Sequence, residues 1–212
     1  MQVSTVEESQ LKLPDGRLVR LRELQPGEYG PVRELCARLS LRTRYQRFLS
    51  PMPVVPDALL RVLADSNSPR RLALVAELGS AGDSDVIALG NLCVADDDQA
   101  ELGLVVADAW QRQGIGLALA ATLIRTAEGR GYRRFVAHGL MGNPALRPLL
   151  RHLADVVSTK TIHGVSEITF VSRYGAAESS IAHLLKTVGR DPQEQAYERI
   201  LAAQGASSRA GR

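Results

Sequence analysis

Residues 111–116 read QRQGIG and run without a break into LALAATLIRTAEG, a stretch of strong helix formers. The first N–H groups of a helix have no intrahelical partner and carry the positive end of its dipole. Glycines just ahead of the helix remove side chains that would hold an anion away, so Gly114 and Gly116 make a seat for phosphate. The same pair also suits a tight strand-to-helix turn that binds nothing, and spacing alone does not choose between the two. It does exclude two nucleotide-binding patterns. No Gly-Lys-Ser/Thr follows, as a Walker loop needs, and no third glycine completes a dinucleotide fingerprint.

The elements that must hold this turn are legible on both sides of it. LKLPDGRLVRLREL reads as a hairpin turning at Pro14-Asp15-Gly16, and Pro26 opens a helical segment through Leu39. LSLRTRYQRFLS is a second helical segment, and Asp57 is the N-cap candidate of a third. RLALVAEL, VIALGNLCVA and AELGLVVA follow as a three-stranded antiparallel meander, with the acidic triplet Asp96-Asp97-Asp98 in a solvated hairpin turn. Beyond the Gly116–Glu128 helix come a strand, RRFVAHGL, a helix over NPALRPLLRHLADV, and a last strand, SEITFVSRY. The expected fold class is therefore α+β, one mostly antiparallel sheet with flanking helices. The organisation read from this is a flexible arm over 1–10, the domain over 11–174, and a helical extension with a flexible end over 175–212.

Composition narrows the partners. The 212 residues are 45% hydrophobic and 23% charged, with a net charge of +3, the balance of a folded globular chain. With 4% aromatic residues and so mild a charge, nucleic acid is not expected, whereas an anionic small ligand or an acidic protein partner is allowed. Cys36 and Cys93 have neither disulfide-framework nor metal-ligand spacing and are expected to be buried thiols, so no metal is implied and a reducing cytoplasm is expected. The opening MQVSTVEESQ lacks an apolar signal core, and no apolar run is long enough for a membrane span.

The order strand AELGLVV, loop ADAWQ, glycine turn, helix, strand resembles the GNAT superfamily of N-acetyltransferases, whose Q/R-x-x-G-x-G/A loop cradles the pyrophosphate of acetyl-CoA. The resemblance spans roughly residues 11–174 and implies a sheet whose central strands splay apart. It implies that Gln111, Arg112, Gln113, Gly114, Ile115 and Gly116 surround the pyrophosphate. Leu104, Val105 and Val106 would then offer backbone groups to the pantetheine and the thioester carbonyl, and Asn143 would contact the pantetheine arm. A narrower resemblance lies in LSLRTRYQRFLSP and AELGLVVADAWQRQGIG, which are similar to segments of the bacterial protein-lysine acetyltransferases that modify AMP-forming acyl-CoA synthetases. It rests on Leu39, Ser40, Thr43, Tyr45, Arg47, Phe48, Ser50 and Pro51, and it sets the family's general base on Glu101.

The chemistry so implied is acetyl transfer to a protein lysine by direct attack in a ternary complex. A lysine amine with a pKa of about 10.4 must lose its proton first, a cost of roughly 4–5 kcal/mol near neutral pH, so a base is useful. Glu101 is the candidate, on an otherwise apolar strand where partial burial would raise its pKa; His138 is the alternative base. The backbone near Val105 and Val106 is the candidate oxyanion donor. Leu150 stands where many members have a tyrosine acid, and Leu153-Ala154-Asp155 replaces the usual Gly-Phe. The rival expectations are transfer to a small amine and a non-catalytic acyl-CoA-binding module.

Overall fold

The computed structural model describes residues 9–173, apart from 66, 67, 69, 81, 82, 97 and 98. The expected C-terminal extension over 175–212 lies outside the described residues. Eight strands form one sheet: β1 (Ser9–Lys12), β2 (Leu18–Glu23), β3 (Arg71–Ser80), β4 (Asp83–Asp96), β5 (Gln99–Val106), β6 (Arg134–Leu140), β7 (Ala154–Ile162) and β8 (Val165–Ser172). Their order is β1-β2-β3-β4-β5-β6-β8-β7. Every neighbouring pair is antiparallel except β5 and β6. That exception follows from the chain path, because a right-handed crossover through a helix brings the second strand back parallel to the first.

The helices are α1 (Tyr29–Arg38), α2 (Leu41–Phe48), α3 (Asp57–Leu63), α4 (Ile115–Gly129) and α5 (Leu146–Leu153), so the fold is α+β as expected. Alternation along the strands divides the core in two. Leu89 of β4 and Val105 of β5 face α1 and α3, in a cluster with Val32, Leu35, Leu60 and Leu63. Residues one position along, Gly90 and Leu104, face α4, where Leu119 and Leu123 press on them. Each such leucine contributes about 1.5–3 kcal/mol on burial. A one-residue slip would exchange the two faces, which fixes the register around the glycine turn.

The structure corrects several boundaries. Ser9 and Gln10 belong to β1 rather than to a free arm. The first helix starts at Tyr29 instead of Pro26, because Gly27 takes φ +88 and Glu28 N–H closes a turn onto Gln25 O. Asp57 is the first helical residue of α3, with Pro56 at the N-cap. The helix expected to continue to Val156 stops at Leu153, since Ala154 turns extended (φ −145, ψ 151) and begins β7, a strand absent from the sequence reading. β7 returns into β8 through His163 and Gly164, both at positive φ, the two-residue hairpin turn that matches strand twist. Asp97 and Asp98 of the acidic triplet lie outside the described residues, and Asp96 pairs with Gln99 where β4 meets β5. Among the described residues no helix is long and apolar enough to cross a membrane.

Candidate active site

A cleft opens in the middle of the sheet. β5 and β6 pair only from Gln99 and Arg134 to Leu102 and Ala137, after which each strand continues without the other. Ala107 N–H bonds to Ile87 O. In an antiparallel ladder that places the backbone groups of odd-numbered β5 residues toward β4 and those of even-numbered residues on the β6 side. Leu104 and Val106 therefore turn their N–H and C=O to the cleft. Val105 instead turns its backbone to β4, and its side chain is buried against α1 and α3.

The cleft ends at the N-terminus of α4. Gly114 is the N-cap, in the left-handed region at φ +84, and supplies no side-chain cap. The first N–H groups of a helix 15 residues long are thus left to an outside acceptor. Gly116 lies beside Val106 Cγ2, and Ile115 is buried, anchoring the turn from below. Arg112 is exposed at φ +62, its guanidinium without a partner among the described residues. Gln113 Nε2 donates to Ala109 O at 3.3 Å.

Gln111 does something the sequence reading missed. Its Nε2 donates to Val106 O (3.0 Å) and to Thr43 Oγ1 (3.2 Å), so the side chain braces the end of β5 against α2. Asp108, at the start of a 3-10 turn (Asp108–Trp110), completes the brace. Its Oδ2 accepts Ser40 N–H at 2.9 Å, and its Oδ1 accepts the hydroxyls of Ser40 and Thr43, each at 2.7 Å. Ser40 in turn caps α2 by accepting Thr43 N–H. Burial works against the charged Asp108, but these hydrogen bonds prevail and hold its carboxyl below the ordinary aspartate range. The spacing Ser40-x-x-Thr43 was the available signal, since it is a capping pattern.

On the opposite side of β5 from α4 stands Glu101. Its Oε1 is 3.3 Å from His138 Nδ1, whose Nε2 is 3.5 Å from Glu167. The two bases weighed as alternatives in the sequence are thus neighbours, because Glu101 pairs in register with Val136 and His138 follows two residues on, on the same face. The Glu101 side chain is 51% exposed, so it is less buried than its apolar strand led one to expect. Cys36 is buried but Cys93, opposite Glu101 on β4, is exposed, which corrects the second cysteine. Asn143 Oδ1 accepts Ala145 N–H at 3.0 Å, and Leu150 is buried at the tyrosine position, with no hydroxyl to offer. No group of three or more potential metal ligands occurs among the described residues.

A splayed parallel pair inside an otherwise antiparallel sheet, closed by a glycine-turned helix N-terminus, defines an acyltransferase architecture. The chain belongs to the acetyltransferase (GNAT) family, which it matches over residues 39–154, and the family uses acetyl-CoA as co-substrate. It is 30% identical over 158 residues to acetyltransferase PA5475 of Pseudomonas aeruginosa, a match covering 71% of this chain and 85% of that protein. Among solved structures it is similar to the GNAT domain of S. lividans PAT (TM-score 0.68, 24% identity, 77% of this chain and 96% of that one). It is also similar to a cAMP-binding acyltransferase from Mycobacterium smegmatis (TM-score 0.54, 24% identity, 86% of this chain), of which it spans 52%. The site's donors suit an acyl-CoA: uncapped N–H groups and Arg112 for phosphate, and Leu104 and Val106 for amide-like groups.

Proposed function

We propose that the protein transfers an acetyl group from acetyl-CoA to a lysine ε-amine of another protein. The observation that carries this reading is the Glu101–His138 contact on the open face of the sheet, beside the cleft that ends at α4. Acetyl-CoA, when bound, supplies the acyl group as an activated thioester: the amine nitrogen bonds to the carbonyl carbon, the C–S bond breaks, and CoA leaves as the thiol with the second proton that the nitrogen loses. The chain's residues do the rest. Gly114 and the first turn of α4 receive the pyrophosphate, with Gln113 and Arg112 around it, and Asn143 lies on the pantetheine side. Leu104 and Val106 present N–H groups to the thioester oxygen. Glu101 takes the proton of the incoming ammonium, and His138 passes it on toward Glu167 and solvent.

A protein acceptor is supported by the face itself. His138 and Glu167 stand on it partly exposed, and Lys160 of β7 pairs in register with Glu167, so the face continues to the edge of the sheet. The α2 segment LSLRTRYQRFLSP borders it, which favours an acyl-CoA synthetase as the partner by the resemblance noted above. The test combines labelled acetyl-CoA with lysine peptides, an AMP-forming acyl-CoA synthetase and a set of small amines. The expected result is labelled lysine in the protein or peptides, with Glu101→Gln lowering kcat about 10²–10⁴-fold and leaving the KM for acetyl-CoA unchanged. Transfer to small amines alone would overturn the protein-lysine reading.

A further inference from the structure

The strand that carries Glu101 has no side chain at Gly103, and Arg47 of α2 fills the space. A Cβ built there would stand 2.5 Å from Arg47 Nη2, 2.7 Å from Cζ and 2.8 Å from Nη1. The guanidinium therefore lies directly on the β5 backbone, on the same face as Glu101 and two residues along from it. Its Nη2 donates to Asn91 Oδ1 at 3.2 Å, while its Nε is enclosed without a partner. Glu101 acts on it only at longer range, and among the described residues it has no ion-pair partner. Asn91 is held in turn by donating to Leu63 O at 2.5 Å.

A cavity of about 150 Å³ opens beside this seat, walled by Arg47, Asn91, Cys93, Glu101, Asp65 and Arg71. Asp65 and Arg71 are paired at 3.0 Å and Glu101 contacts His138, so among the described residues Arg47 is the cation of the wall that holds no ion pair. A partly desolvated guanidinium with one hydrogen bond is unfavourable in isolation, and its planar fork of donors matches a carboxylate. We propose that Arg47, seated on Gly103, is a carboxylate subsite for the acceptor. An acidic side chain near the target lysine enters the cavity and takes the fork while the amine meets Glu101. This deepens the protein-lysine reading and rests on it for the identity of the acceptor.

Two measurements test it, the first needing no acceptor. With the full chain saturated with CoA and its arginines labelled with ¹⁵N, the Arg47 Nε–H signal, assigned by its loss in Arg47→Lys, is followed on adding acetate or acetamide at constant ionic strength. A saturable shift with acetate and none with acetamide is expected; no shift with acetate overturns the subsite whatever the acceptor proves to be. The second compares kcat/KM for lysine peptides carrying glutamate or glutamine at each flanking position. The wild type should favour glutamate at one position by roughly tenfold or more, the size of a charge-assisted hydrogen bond, and Arg47→Gln should abolish that ratio. Gly103→Ala, which displaces the guanidinium without removing it, should lower the ratio too. Equal rates with glutamate and glutamine throughout overturn the inference and leave lysine transfer standing. So does an Arg47→Gln effect that shifts the pH profile equally for every peptide, since Arg47 would then act only through Glu101. If no peptide is labelled while acetate still shifts Arg47, the lysine reading fails and the carboxylate subsite stands.

Discussion

At Gly114 the backbone needs what only glycine offers cheaply. Its φ of +84 lies where a side chain costs about 1–2 kcal/mol. Gly114→Ala should therefore weaken CoA binding about tenfold, and Gly114→Asp more, because a carboxylate then competes with the pyrophosphate for the same donors. Calorimetric titration with CoA reads this directly, and wild-type affinity in Gly114→Asp would move the anion seat elsewhere. The glycine turn and the start of α4 were legible in the sequence because both are local. The Glu101–His138 pair was not, since residues 37 apart meet only through the register of two strands brought together by α4. The brace made by Gln111 was hidden for a related reason. Its position in the loop is local, but the direction of its side chain is set by Thr43, 68 residues away.

Among the elements, α2 is tied to the loop between β5 and α4 by one carboxylate. Asp108 holds both Ser40 and Thr43 at the start of α2, and Thr43 receives Gln111, which also grips the end of β5. The short helix α2 and the end of the cleft thus share a hydrogen-bonded joint. Asp108→Ala should destabilise the protein by about 1 kcal/mol, a modest loss because the group is solvent-exposed. It should raise the KM for acetyl-CoA and for the acceptor together, whereas a change at the anion seat alone raises the first only. A denaturant titration and a two-substrate kinetic grid separate these outcomes; an unchanged acceptor KM would mean that α2 is positioned by its apolar packing instead. The joint joins segments that each looked ordinary in the sequence, where the elements themselves were mostly readable from hydrophobic period and turn residues. The exception was β7. Its helix-to-strand switch at Ala154 leaves Asp155–Ile162 exposed at the sheet edge, so no buried stripe marked it, and the signal available was the β-branched run before His163-Gly164.

Across the whole molecule, two buried glutamates pull stability in opposite directions with pH. Glu77 on β3 is 3% exposed and clamped by Arg20 and Arg22 from β2, each at 2.6 Å, with Arg22 reaching on to Glu28. Burial pushes the Glu77 carboxyl up, but the arginine hydrogen bonds and charges prevail and hold it below the ordinary glutamate range. A carboxyl whose folded pKa is depressed stabilises the protein fully above its unfolded pKa and loses that contribution as pH falls through the folded value. Glu128, near the end of α4, is the reverse case. It is 6% exposed with Oε2 unpartnered, and burial raises its carboxyl despite Ser172 and Arg133. Its contribution is therefore present below the unfolded pKa and lost as pH rises through the raised one. Glu77→Gln should cost about 3 kcal/mol at neutral pH, as breaking a buried ion pair does. Glu128→Gln should instead gain roughly 1 kcal/mol there, since a neutral amide avoids the buried charge. Both differences from the wild type should shrink as pH falls, Glu128→Gln converging first because the native carboxyl it replaces protonates at the higher pH. Urea denaturation of the three proteins from neutral to acid pH measures this. Parallel curves for Glu77→Gln and the wild type would mean that the cluster on β2 and β3 holds those strands by packing rather than by charge.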